Sequence, residues 1–450
     1  MHKNAVLLTS RDRADTDMAT RLHVLSQARA DARGAVCLDG SPPAFWYQPP
    51  YDLQSGNASW LVHLDGGAWC YDERDCAARS RSEKGSSRPL KRRYWPYSGP
   101  LDGRPSVNPT FAGFHRVNLA YCDGGSWTGD RTEPLVGPGG ERLFLRGRRV
   151  LDLLVEELLQ LGMRHARHVL WVGGSAGGPG ALHSADRVQR QLGPALESFK
   201  VLIISGFFVL RAEEASLASA AAGGSCGTRP KALAQCTPWA AKMRYMVNMH
   251  NGTAAMSRAC TGAPPGPAGR PKEEEAWRCF FPEHAAKHVA APVYFINSAL
   301  DSWQIVNVWR RFARCRWDGM RNCTADDVRR DVRATNEMSA ALMRDVRAAI
   351  GGRDGNGAFV ETCNEHIGGL DGVAFAGYEV GGVTMRDALA AWWRAPPGAP
   401  TAEHMRMPCV FAVPGSGGTA ARRQHNQCNP SCKVSRRKRR LNQECPCDPP

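Results

Sequence analysis

The stretch His168-Val-Leu-Trp-Val-Gly-Gly-Ser-Ala-Gly-Gly-Pro-Gly-Ala-Leu-His183 constrains this chain more than any other. Residues 169–172 are an apolar run of the length of a buried strand, and Ala181, Leu182, Ala185 and Val188 recur at helical spacing. Four glycines between them surround Ser175 and Ala176. The result is a strand, a sharp turn and a helix, with a serine at the apex. The spacing Gly173-x-Ser175-x-Gly177 fits a nucleophile elbow, where the serine takes a strained backbone conformation and small neighbours let strand and helix approach. The same turn would equally cradle a phosphate. For catalysis, the rest of the chain must supply a base, an acid and an oxyanion hole.

The remaining sequence repeats the strand-and-loop rhythm. Residues 45–47, 60–64, 116–122, 199–205, 291–298 and 358–363 read as strands, and residues 147–161, 239–247, 328–350 and 385–393 as helices. This order predicts an α/β fold: a mostly parallel sheet, helices on both faces, and a disulfide-stapled cap insertion. Order is expected to begin near Ala35. Residues 1–34 read as a polar extension, 35–410 as the domain with an insertion near 217–278, and 411–450 as a cysteine-rich basic tail. Within the insertion, Cys226, Cys236, Cys260 and Cys279 are the expected staples.

The net charge is +15, spread along the chain, with local runs at Lys91-Arg-Arg93 and Arg436-Arg-Lys-Arg-Arg440. No basic stripe with interleaved aromatics occurs, so nucleic acid is not the expected partner. No apolar run reaches membrane-spanning length. Sixteen cysteines, without paired Cys-x-x-Cys knuckles, point to disulfides rather than zinc. Three acceptor sequons (Asn57, Asn251, Asn322) fit the same oxidising, secretory setting. Ala5-Val-Leu-Leu8 is too short for a signal h-region, so the expectation is either a missing start or an unconventional export route.

An elbow serine needs a histidine and a carboxylate, and in α/β-hydrolases they follow it in the order acid, then histidine. Asp301 and His366 meet that order, each just past an expected strand. Asp318 and Asp371 are rival acids in less strand-like settings. Of thirteen histidines, His165, His168 and His183 lie too near the elbow, and His63 falls inside a strand as a core residue. His284 and His288 stand at i, i+4 without further ligands nearby. Asp65-Gly-Gly-Ala-Trp-Cys70 ends a strand in consecutive glycines, which suits either a tight turn or exposed N–H donors for an oxyanion.

Several separate motifs carry a family resemblance: Ala35-Val-Cys-Leu-Asp-Gly-Ser-Pro-Pro43, Gly66-Gly-Ala-Trp-Cys70, Tyr121-Cys-Asp-Gly-Gly-Ser-Trp-Thr-Gly-Asp130, Ser175-Ala-Gly-Gly178, Cys279-Phe-Phe-Pro282, Asp301-Ser-Trp-Gln-Ile305 and Cys428-Asn-Pro-Ser-Cys432. Across roughly residues 35–432 the chain resembles the plant-type pectin acetylesterases, in a superfamily shared with the Notum carboxylesterases. The resemblance implies an α/β-hydrolase-like fold and a triad of Ser175, Asp301 and His366. It also implies an oxyanion hole from the N–H groups of Gly67 and Ala176. The implied reaction is metal-free and cofactor-free removal of acetyl groups from homogalacturonan, by a secreted, cell-wall monomer. Trp69, Trp127, Phe207, Phe208, Phe280 and Phe281 are candidates for the acyl or sugar site. Ala68, Gly174, Ile204 and Ile367 depart from the family pattern, outside the triad; Ile367 stands where a cysteine is usual, implying one family disulfide fewer. The alternatives are a Notum-like esterase acting on a fatty acyl group of a protein, and an inactive hydrolase fold that binds polysaccharide.

Overall fold

The computed structural model describes residues 20–50, 58–90, 98–210, 239–262, 275–308, 325–405, 429 and 431–432. The basic runs 91–93 and 436–440, Asp318, Cys226, Cys236, and the sequons at Asn57 and Asn322 lie outside them. One nine-stranded sheet organises the described chain. Its strands are β1 (Arg21–Val24), β2 (Ala44–Gln48), β3 (Ser59–Leu64), β4 (His115–Leu119), β5 (His168–Gly174), β6 (Ser198–Ile204), β7 (Val293–Ser298), β8 (Gly357–Glu361) and β9 (Ala402–Met405). Their spatial order is β1-β2-β4-β3-β5-β6-β7-β8-β9. β2 runs antiparallel to both β1 and β4, and every other pair is parallel. The α/β-hydrolase-like sheet expected from the sequence is the sheet observed.

The described residues start at Thr20, and they include a strand and a helix ahead of Ala35. β1 forms the sheet edge, and helix α1 (Gln27–Arg33) follows, capped by the Ser26 side chain and ended by Gly34 at a φ of 58°. An edge strand half open to solvent has no apolar run to announce it. The strand expected over 116–122 stops at Leu119 because the chain turns away to a disulfide at Cys122.

Alternation along the strands sends side chains to two cores. Val169 and Trp171 pack with helices α2 (Gly147–Gln160), α3 (Gly177–Gln189), α4 (Trp239–Met249) and α5 (Ala325–Ile350) through Val150, Leu154, Ala181, Met243 and Leu342. Leu170 and Val172 face the other way, onto Tyr294, Phe359 and helix α6 (Met385–Arg394) through Leu389 and Trp392. Lys200 on β6 reaches across to the end of α6, donating to the carbonyls of Trp392, Trp393 and Ala395 at 2.9, 3.1 and 3.0 Å. A cation there answers the unpaired carbonyls and the negative end of the helix dipole.

Four disulfides join described residues: Cys37–Cys122, Cys70–Cys76, Cys260–Cys279 and Cys363–Cys432. Cys260–Cys279 realises one bridge of the expected insertion staple. Among the described residues no helix is long and apolar enough to cross a membrane. Cys37–Cys122 spans 85 residues and ties the first ordered loop to the end of β4. Its removal by the paired change Cys37→Ala and Cys122→Ala should lower unfolding free energy by about 2–5 kcal/mol, read as a fall in the urea midpoint.

Candidate active site

Ser175 follows β5 directly, with a φ of 51°. That left-handed conformation costs a non-glycine residue roughly 1–2 kcal/mol. The Ser175 N–H donates to the Ile204 carbonyl at 2.8 Å, and strand neighbours on both sides hold the turn. The loop after β3 lies against the elbow backbone to backbone. A Cβ on Gly66 would stand 2.4 Å from the Gly174 oxygen and 2.8 Å from the Ala176 nitrogen, and one on Gly177 would stand 2.1 Å from the Leu64 oxygen. Only glycine allows this approach.

Ser175 Oγ is 2.8 Å from His366 Nε2, and His366 Nδ1 is 2.9 Å from Asp301 Oδ2. Asp301 is fully buried at the start of the short helix Ser302–Asn307, and its Oδ1 accepts the N–H groups of Trp303 and Gln304 at 3.0 and 2.9 Å. His366 follows β8 on a loop anchored three times. Cys363 is bridged to Cys432, the Ser298 hydroxyl donates to the Cys363 carbonyl, and the Ile367 N–H donates to Ser205 Oγ at 2.9 Å. Ser205 itself has a φ of 50°, a second strained serine beside the first.

Gly67, at a φ of 149°, and Ala176 present N–H groups that have no hydrogen-bond acceptor among the described residues. The loop after β4 braces both. Tyr121 donates its hydroxyl to the Ala68 carbonyl at 3.0 Å and accepts the Ser126 N–H at 3.0 Å. Ser126 Oγ donates to the Ala176 carbonyl and accepts the Trp69 indole N–H at 2.7 Å. The Trp127 indole donates to the Asp65 carbonyl at 3.1 Å. From the other side, Arg79 donates to the carbonyls of Gly67 and Trp69 at 2.8 and 3.2 Å. Nothing in the spacing of Ser126, Arg79 and Ser205 along the chain marks them as supports of this site.

The aromatic candidates are all buried. Trp127 packs beneath the loop on its indole bond, and Phe207 packs on Phe295 with ring centres 5.1 Å apart. Trp69 is the hub of the rest, its ring 4.9 Å from Phe208, 6.1 Å from Phe280 and 5.6 Å from Trp303. Phe281 lies behind, edge-on to Trp239. The rings that face His366 are Phe208 and Trp303, at 6.4 and 6.1 Å. Trp303 is only partly buried and stood in the quoted motif without a role.

The other candidates have different partners. Asp371 caps the helix Gly372–Gly377, accepting the N–H groups of Val373 and Ala374 at 2.9 Å. His63 is buried, bonded through Nδ1 to Asn118 at 2.7 Å, and burial lowers its pKa. Burial also pushes His183 down to about 4. His284 meets Glu283 at 3.2 Å. Among the described residues, two groups combine metal-ligand chemistry, Cys70/Cys76/His250 and Glu361/Cys363/Cys432, and in each the two sulfurs form a disulfide instead of offering thiolates.

Comparison with known proteins adds the following. The pectinacetylesterase family profile matches residues 13–222 and 235–410. The chain is similar to pectin acetylesterase 11 of Arabidopsis thaliana, 31% identical over 375 residues that cover 81% of this chain and 85% of that protein. Pectin acetylesterase 5 of the same plant is 29% identical over 345 residues, 75% of this chain and 71% of its own. The palmitoleoyl-protein carboxylesterase NOTUM of Homo sapiens is 27% identical over 293 residues, 63% of this chain and 51% of its own.

A buried carboxylate underlies the bracing loop. Asp123 Oδ2 accepts the N–H groups of Gly125 and Trp127, both at 3.0 Å, while Oδ1 is buried without a partner among the described residues. Burial pushes the Asp123 pKa up to about 7, against the opposing pull of those N–H groups and of Arg79. Below about pH 4 the group is protonated in both folded and unfolded chains and is neutral to stability. Between there and pH 7 the unfolded chain releases its proton first, so the folded state loses stability as pH rises. Asp123→Asn keeps the two accepted bonds and removes the charge. Urea unfolding at pH 4.5, 6 and 8 should therefore show the variant gaining on the wild type as pH rises; parallel profiles would contradict the assignment.

Proposed function

The chain belongs to the pectinacetylesterase family, and from that premise we propose that it removes acetyl groups from pectin through an acyl-serine intermediate. The observation that carries this reading is the relay from Ser175 through His366 to Asp301, at 2.8 and 2.9 Å. Ser175 Oγ attacks the acetyl carbonyl carbon while His366 Nε2 takes its proton. The carbonyl oxygen, now negative, turns to the N–H groups of Gly67 and Ala176, donors already fixed before the reaction begins. As the intermediate collapses, the sugar hydroxyl leaves with the proton from His366. A water molecule then repeats the sequence on the acyl-serine and releases acetate. Asp301 accepts the Nδ1–H of His366, and its own second oxygen is tied to two backbone N–H groups, so the ring keeps one tautomer and one orientation.

Trp69, Phe208 and Trp303 line the acyl side of the serine in this reading, around a small apolar acyl group. The disulfides support residence in an oxidising compartment, secreted to the cell wall. The acetyl reading is preferred to fatty-acyl removal because the plant acetylesterases align over more of the chain than NOTUM does.

Purified protein should hydrolyse p-nitrophenyl acetate and release acetate from acetylated pectin. Ser175→Ala should lower kcat/KM by at least about 10⁴-fold, and Asp301→Asn by a comparable factor through the lost tautomer control. Undiminished turnover in Ser175→Ala would remove the serine mechanism. A clear preference for octanoyl over acetyl esters would move the chain to the fatty-acyl reading, and pectin binding without any ester turnover to the binding-module reading.

A further inference from the structure

Beside the loop that offers Gly67 stands a cation for which the ester-cleaving steps have no use. Lys84 lies in the turn after the helix Glu73–Arg79, and its stem crosses Gly67: a Cβ there would be 3.0 Å from Lys84 Cδ and 3.1 Å from Cε. Its Nζ donates to Asp65 Oδ2 at 2.6 Å, and Asp65 Oδ1 accepts the Gly66 N–H at 2.7 Å. An ammonium carries three protons, and Asp65 is its one hydrogen-bond acceptor among the described residues. The Lys84 side chain is 31% exposed, against 10% for Asp65. Arg79, on the helix just before, commits one of its two terminal nitrogens to the carbonyls of Gly67 and Trp69 and so holds the loop from its backbone. Two of the three ammonium donors have no acceptor among the described residues.

We propose that Lys84 is a carboxylate-binding subsite, which grips a uronic acid group of the polymer next to the acetylated sugar and sets the ester over Gly67 and Ala176. This rests on the pectin reading of the site. Lys84 acts as a point charge on a flexible stem, suited to a carboxylate whose position varies with linkage. Cationic groups continue along the same turn. Ser80, Arg81, Ser86 and Arg88 line a cavity of about 870 Å³ together with Arg142 and Phe144. Arg81 and Arg88 already face Glu141 and Asp39, whereas Arg142 lies over the Phe144 ring, 5.5 Å from its centre, and has no carboxylate partner among the described residues. Of these three arginines, Arg142 is the one an acidic chain could meet without displacing a carboxylate among the described residues.

The test separates binding from turnover. Unesterified trigalacturonate is titrated calorimetrically into Ser175→Ala protein, with and without Lys84→Gln. The expected result is a Kd about tenfold weaker in the Lys84→Gln background, the scale of one partly exposed charge-assisted hydrogen bond. Lys84→Arg should recover most of that loss. The fully methyl-esterified trimer should bind the Ser175→Ala protein about as weakly as the acid trimer binds the Lys84→Gln form. In active protein, selectivity for acetylated trigalacturonate over its methyl ester should fall about tenfold in Lys84→Gln. Equal affinity of the acid and methyl-ester trimers for protein with Lys84 intact overturns the subsite, even if Lys84→Gln fails to fold. An equal loss on both substrates also overturns it, leaving Lys84 as a support of the loop. Absence of ester hydrolysis in the wild type, with acid-specific binding intact, would instead count against the esterase reading alone.

Discussion

Everything in the site depends on two backbones lying in contact. The loop leaving β3 and the elbow leaving β5 approach so closely that a methyl group on Gly66 or Gly177 would overlap a carbonyl oxygen. Neighbouring parallel strands exit a sheet at the same end, so pairing β3 with β5 delivers both loops to one place. Contact at the level of the main chain then lays Gly66, next to Gly67, against Gly174 and Ala176 on either side of Ser175. For the proposed mechanism, main-chain contact suits donors that must be fixed before charge develops, since side chains would each add rotamers. The strained φ of Ser175 is the cost of the same geometry, offset by the strands that flank it.

Asp301 and His366 reach the serine by the same rule. β7 and β8 lie two and three strands along from β5, and both end on its side of the sheet. Their loops are short of secondary structure, and so are pinned by other means: a helix start for Asp301, a disulfide and two serine hydroxyls for His366. The hydrogen-bonded pins use polar groups that would otherwise be left unsatisfied at least partly out of water, which makes the loops rigid at little cost.

This explains which parts were legible in the chain. Parallel strands buried on both faces are continuous apolar runs, so β3, β5, β6, β7 and β8 could be read within a residue or two. Glycine pairs at strand ends marked the loops that must approach closely, and the order of Ser175, Asp301 and His366 followed the order of the strands. The edge strand β1 was missed because half of it faces water. The bracing contacts were missed for a different reason. Tyr121, Ser126 and Ser205 reach Ala68, Ala176 and Ile367 across 50 residues or more, and even for Arg79, 10 and 12 residues from its partners, nothing in the side chain says which carbonyl it will find. The buried aromatics show the converse: the candidates Trp127 and Phe207 have rings committed to packing, while Trp303, in the motif Asp301–Ile305 and not among the candidates, faces the histidine.

The bracing loop also shows why a fold of this kind tolerates a buried carboxylate beside its reactive centre. Asp123 holds the turn that carries Ser126 and Trp127, and through them the Ala176 and Asp65 carbonyls. An apolar residue would leave the N–H groups of Gly125 and Trp127 unpaired in the interior, a loss of roughly 1–3 kcal/mol each. A neutral acid or amide accepts from them too, without the charge that burial penalises, and the turn so held meets the Ala176 and Asp65 carbonyls. Ser126 and Trp127 both take positive φ values, of 56° and 62°, which a less firmly held turn would relax. The strain in this loop and the strain at Ser175 face each other across the Ser126–Ala176 hydrogen bond, so neither turn can relax without breaking the other's support.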